Sequence, residues 1–304
     1  MRIAVIDLGT NTFNLLVAER DPVLRVVHSE EIGVFLGRGG IEKGVIAPDA
    51  MERGLKALTE LVQRAQDLGA QRITGFGTSA LRNARNSAVF LRQVERTIGI
   101  DIRIIPGEEE ADLILGGVRQ AVSFGSKPML VMDIGGGSIE FILATDKALM
   151  WKRSFELGVT RLRDRFNPGD PLSLPEHLRI GAHLDAQLEP LWAMMDRHWP
   201  ATLVGSAGSF DTLAVMIAAE RGDALPTEAV TLDFSVHEFD ALKDRLLILP
   251  REERARIPGL PEYRVDTLPL ALIAIERVIA HGIEQLRWSR YALKEGAAAL
   301  LPVR

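Results

Sequence analysis

The sequence predicts an α/β protein built from two similar domains that face one another. Three observations carry this reading. An opening meander of short apolar strands gives way to alternating helices and strands, the pattern of an α/β domain. The pattern then restarts near residue 129. Both starts share one signature: an apolar strand, an aspartate, glycine, a hydroxyl residue and a second apolar strand. It occupies residues 3–17 and again 129–144, as expected of an internal duplication. A chain of 304 residues is long enough for two such cores.

Residues 3–7 form an apolar run ending in Asp7, and the chain turns at Gly9. Runs at 13–18 and 23–28 complete the meander. Over 48–68 the apolar positions Met51, Leu55, Leu58, Leu61, Val62 and Ala65 recur at helical spacing, with Pro48-Asp49 at the start. A strand is expected at 72–77, a helix at 79–98, a strand at 101–105 and a helix at 108–122. Gly125-Ser126-Lys127-Pro128 is a linker. Then follow an apolar strand at 129–134 closed by Asp133, a glycine turn, and a strand at 139–144. The remaining expectations are a helix near 175–197, a strand at 201–204, a glycine-serine loop at 205–209 leading into a helix, helices at 236–248 and 268–286, and a closing turn and helix over 288–300.

Composition narrows the function. Hydrophobic residues make up 47% and charged residues 25%, ordinary for a globular protein. The chain has no cysteine, which excludes disulfides, zinc thiolate sites and a cysteine nucleophile. Met1 leads directly into a strand rather than a signal peptide, and no apolar run approaches the roughly 20 residues that span a bilayer. A cytoplasmic location without membrane contact is expected. The net charge of -5 argues against a nucleic-acid partner. A polyanionic substrate would need local cationic groups, backbone amides and a metal.

The candidate chemistry lies in short segments. Asp7-Leu8-Gly9-Thr10-Asn11-Thr12 offers amides and hydroxyls that can cradle a phosphate, although the same residues suit a polar hairpin turn. Asp133-Ile134-Gly135-Gly136-Gly137-Ser138-Ile139-Glu140 is sharper. Consecutive glycines are costly in a plain hairpin and make sense where main chain must approach an anion. A carboxylate closing a buried strand needs compensation, and magnesium binds through one or two carboxylates plus phosphate oxygens. In Thr78-Ser79-Ala80-Leu81-Arg82 two hydroxyls can cap a helix whose arginine offers a fork of donors. Gly107-Glu108-Glu109-Glu110 either stabilises a helix start or points one acid at water. Gly205-Ser206-Ala207-Gly208-Ser209 runs from strand to helix, a common anion-binding placement.

Taken in this order, these segments and Leu293–Gly296 resemble the exopolyphosphatase / guanosine pentaphosphate phosphatase (Ppx/GppA) family in its short two-domain form. The resemblance implies two ribonuclease-H-like domains of the actin, Hsp70 and sugar-kinase type around a central cleft. They would span residues 1–124 and 125–287, with a closing helix over 288–304 packed back on the first. It implies a metal site of Asp7, Asp133 and Glu140 holding magnesium or manganese. Phosphate would be bound by Thr10, Asn11, Gly135, Gly136, Gly137, Ser138, Gly205, Ser206, Gly208 and Ser209. Arg82 would clamp a phosphate and Glu110 would be the base. The implied reaction is hydrolysis of the terminal phosphoanhydride of polyphosphate; the alternatives are pppGpp 5'-phosphohydrolysis and, further off, ATP-dependent phosphotransfer on the same fold. A homodimer is also implied. Lys294 stands where the family usually has arginine, and Val34-Phe35 where many members carry a basic residue.

Overall fold

Strand β1 (Arg2–Leu8) is apolar on both faces: Ile3, Ala4, Val5, Ile6 and Leu8 are all buried. Each large side chain so buried contributes about 1.5–3 kcal/mol, so β1 is a central strand. The computed structural model describes residues 1–20 and 24–300. In it β1 lies between β2 (Thr12–Arg20), antiparallel, and β4 (Arg72–Gly77), parallel. β3 (Leu24–Gly33) and β5 (Ile102–Ile104) add the edges, giving the order β3-β2-β1-β4-β5. Residue 23 of the expected third strand lies outside the described residues.

The second sheet repeats that plan. β6 (Met129–Ile134), buried throughout, pairs antiparallel with β7 (Ile139–Ala144) and parallel with β9 (Thr202–Ser206). With β8 (Leu149–Phe155), β11 (Gln285–Ser289) and β10 (Thr231–Ser235) the order is β8-β7-β6-β9-β11-β10. Apart from the added β10, both sheets run third, second, first, fourth, fifth. The duplication read from two aspartates is therefore a duplication of topology.

Helices fill the faces. In the first lobe α1 (Pro48–Asp67) starts with proline in its first turn and buries Met51, Leu58, Leu61 and Val62. The single helix expected over 79–98 is broken into α2 (Ser79–Asn83) and α3 (Ser87–Thr97). The Asn86 side chain causes the break: its Oδ1 accepts from the Ile46 amide and its Nδ2 donates to the Ile46 carbonyl, both at 2.9 Å. Ala84 is extended between them. α4 (Gly107–Ala121) follows β5.

The second lobe carries α5 (Val159–Phe166), α6 (Leu174–Gln187), α7 (Glu189–His198), α8 (Ala207–Glu220), α9 (Val236–Ile248), α10 (Arg251–Arg254) and α11 (Leu268–Ile279). The helix expected over 268–286 stops early. Gly282 turns the chain at a φ of 97°, and β11 begins where a helix was expected. Residues 301–304 of the expected closing segment lie outside the described residues; α12 (Leu293–Leu300) packs on α4, β1 and β2. Among the described residues no helix is long and apolar enough to cross a membrane.

What positions the site is the layer between the sheets. Ile3, Val5 and Leu16 from one sheet and Val131, Ile142 and Val204 from the other share a core with Leu113, Ile114 and Val118 of α4 and Leu293 and Ala297 of α12. The two helices touch backbone to backbone. A Cβ on Gly117 would lie 1.8 Å from the Ala292 carbonyl oxygen, and one on Gly296 1.8 Å from that of Leu113. Only glycine fits at either position.

Candidate active site

The two β-hairpin turns that follow β1 and β6 face each other. They are built alike: Gly9 N donates to Thr12 O and Gly135 N to Ser138 O, each at 3.0 Å. Asp7 and Asp133 close the strands before them, opposite Asn14 and Glu140 respectively in register. The glycines bring the turns together. A Cβ on Gly137 would stand 2.5 Å from both Thr10 Oγ1 and Ser79 Oγ, and one on Gly136 2.7 Å from Asn11 Cγ. Behind them, Gly158, Val159 and Thr160 donate their amides to the carbonyls of Gly137, Gly135 and Gly136. Thr160 Oγ1 also donates to Asn11 Oδ1 across the gap at 2.6 Å.

Asp7, Thr10, Asn11, Glu110, Asp133, Gly135, Gly136, Gly137 and Ser138 line one cleft, with Gly208, Ser209, Asp211, Arg264 and Lys294 on its walls. Three expected site residues also make structural contacts. Ser206 is buried and donates to Asp133 Oδ2 at 2.7 Å. Gly205 lies in β9, with the Phe210 ring where a side chain would be. Glu140, opposite Asp133 in register, lies fully buried; its carboxyl accepts from Ser154 Oγ at 2.6 Å. Gly208 leaves room for the Arg264 guanidinium, which a Cβ would meet at 2.0 Å.

The acidic cluster at the start of α4 divides cleanly. Glu109 pairs outward with Arg103 at 2.6 Å, and Glu108 faces Lys152. Glu110 points inward, 7% exposed, and accepts from Arg82 Nη1 at 2.7 Å. Burial pushes its carboxyl up to about 7; Arg82 opposes this, and Asp133 and Glu156 add to it. Glu108 and Glu109 are not among the leading causes. Thr78 and Ser79 also differ from expectation. Thr78 Oγ1 donates to Leu8 O and Ser79 Oγ to Glu156 Oε2, so neither caps α2.

Asp7 and Asp133 are the strained charges. Burial, with Glu110 and Asp133 nearby, pushes Asp7 up to about 8, and burial pushes Asp133 to about 6 despite its bond from Ser206. Burial likewise raises Glu140, with Glu110 and Asp133 adding. Asp7 Oδ1 is buried without a hydrogen-bond partner, a costly arrangement unless something else compensates it. Among the described residues no three His, Cys, Asp or Glu side chains form a ready-made metal cage. An orphaned carboxylate oxygen and mutually repelling acids still suit an ion such as magnesium, which takes few protein ligands.

These shifts predict a stability signature. An unfolded carboxyl titrates near 4, so across about pH 5 to 8 the folded chain holds more protons than the unfolded one. Stability is then lost as pH rises through that window. Surface acids held low by their partners, Glu19 and Glu238 at about 2, have finished titrating below it. Urea unfolding in chelator should give a lower midpoint at pH 8 than at pH 5, and Asp7→Asn should flatten the difference. A midpoint that is level or rises with pH contradicts the assignment.

Several cleft residues were missed by sequence reasoning. Asp211 is held by Trp288 Nε1 at 2.7 Å, and Arg264 grips Glu31 with Nη2 at 2.6 and 2.8 Å. Glu156 and Arg161 bridge the lobes. No local pattern marks any of them; each is defined by a partner far away in the chain.

Comparison with known proteins agrees with the geometry. The Ppx/GppA phosphatase family matches residues 15–300. The chain is 30% identical to exopolyphosphatase 2 of Mycobacterium tuberculosis, over 99% of this chain and 98% of that one. It is 31% identical to a guanosine-5'-triphosphate,3'-diphosphate pyrophosphatase of Vibrio atlanticus, over 97% of this chain and 58% of that one. The crystal structure of an exopolyphosphatase from Cytophaga hutchinsonii superposes with a TM-score of 0.95 at 36% identity, covering 98% and 96% of the two chains.

Proposed function

Because the chain belongs to the Ppx/GppA phosphatase family, we propose that it hydrolyses the terminal phosphoanhydride of inorganic polyphosphate and releases orthophosphate. One observation carries the mechanism: a buried carboxyl, Glu110, with its pKa raised to about 7, lies on the cleft that the two glycine turns enclose. A base is most effective when its pKa lies near the working pH.

In this reading Glu110 takes a proton from water. The water oxygen bonds to the terminal phosphorus while the bridging P–O bond breaks, and the electron pair leaves with the shortened polyphosphate. Thr10, Asn11 and the Gly135–Ser138 turn orient the terminal phosphate. Arg82, held by Glu110 through Nη1, offers its Nη2 edge to the transferred group as charge develops on it. Asp7 and Asp133 would hold magnesium or manganese, with Glu140 the third acid of the site, opposite Asp133 in register. Such an ion would neutralise charge on the phosphate oxygens. Gly208 and Ser209 close the far wall.

The Vibrio atlanticus relative favours pppGpp as a second substrate, since the scissile bond has the same chemistry. Phosphate release from polyphosphate, pppGpp and ATP, assayed in parallel with magnesium, decides. Polyphosphate should be the best substrate. Turnover of ATP alone, with transfer to an acceptor, would overturn the reading.

A further inference from the structure

We infer that Glu156 is a built-in competitor for a phosphate seat formed by Ser79, Arg82 and Arg161, and that a phosphate of the substrate displaces it. The inference rests on the hydrolase reading above. Glu156 sits in the bend between β8 and α5. Its Oε2 accepts from Ser79 Oγ at 2.7 Å and from Arg161 Nη2 and Nε at 2.8 and 3.1 Å; its Oε1 accepts from Arg82 Nη2 at 3.3 Å. A carboxylate thus occupies donors that come from both lobes.

Donors and acceptor differ in how they are held. Arg161 also donates to Gly137 O at 2.9 Å, and Arg82 to Ile105 O at 3.1 Å and to Glu110. Their side chains are 14% and 17% exposed, whereas that of Glu156 is 41% exposed. The donors stay in place without Glu156, while Glu156 can swing into solvent. Two guanidinium edges and a hydroxyl match a phosphate better than a carboxylate, because phosphate brings another oxygen and more charge. The seat adjoins the chemistry: Ser79 lines the same cleft as Gly137 and Glu110.

The test pairs kinetics with binding. Phosphate release from tripolyphosphate is measured with magnesium for the wild type and Glu156→Gln. Orthophosphate is titrated into both, and into Arg161→Gln, by calorimetry. Removing one partly exposed charge should lower the KM of Glu156→Gln, and its Kd for orthophosphate, about three- to ten-fold. A residue that merely supports the fold would not lower KM when removed. Arg161→Gln should weaken orthophosphate binding by a similar factor. An unchanged or raised KM and Kd in Glu156→Gln, or wild-type binding in Arg161→Gln, overturns the inference. If the wild type releases no phosphate from tripolyphosphate, the hydrolase reading fails, and the orthophosphate titrations still decide the seat.

Discussion

Glu110→Gln should lose turnover by about 10²-fold or more, the usual cost of removing a positioned base, while substrate affinity stays near that of the wild type. The amide keeps the shape and can still accept from Arg82, but it cannot take a proton from water. Affinity is spared because Glu110 would touch the attacking water rather than phosphate. Its neighbours should behave differently. Glu109 is tied to Arg103 and Glu108 faces Lys152, both at the surface, where one exposed pair is worth about 0–1 kcal/mol. Glu108→Gln and Glu109→Gln should therefore stay within a few-fold of wild-type turnover. The wild-type rate should rise with pH through about 7, where burial has moved the Glu110 carboxyl, because the base must be ionised to act. Glu110→Gln should lose that limb. Phosphate release and equilibrium binding across pH for the three variants supply the check. A Glu109→Gln variant that loses turnover while Glu110→Gln keeps it would place the base one residue earlier.

Asp133→Asn should move stability and activity in opposite directions. Asp133 is 8% exposed and burial lifts its pKa to about 6, so at pH 8 it is a buried charge facing other acids. In chelator the neutral amide should melt higher than the wild type at pH 8. Activity should fall by on the order of 10²-fold, the scale of losing one preorganised electrostatic contact to the transition state. Chelator should silence the wild type, and excess magnesium should restore it. Wild-type turnover in chelator would remove the metal from the mechanism. A variant both less active and less stable at pH 8 would mean that Asp133 is a structural acid held by Ser206.

Much of this was legible because the decisive signals are local. An apolar run ending in aspartate and followed by glycine announces a buried strand, a charge and a close backbone approach at once, and it does so twice. Glu110 was legible as an acid in a first helical turn, but the groups that surround it were not. Its pairing with Arg82 and its proximity to Asp133 and Glu156 involve residues far along the chain. The break at Ala84 was hidden for the same reason, since the side chain that causes it reaches back to Ile46. β11 was missed because it is short and follows directly on a strongly apolar helix. Gly205 and Ser206 looked like phosphate ligands by placement alone; their neighbours Phe210 and Asp133 also give them structural work.

The glycine contact between α4 and α12 bears on how the protein is made. During synthesis every strand of both sheets and the whole of α4 are made before residue 293 is joined to the chain. Until then Leu113, Gly117 and Val118 lack the helix they lie against. The layer between the two sheets is therefore complete only once α12 has docked; until then α4 shows an uncovered apolar face.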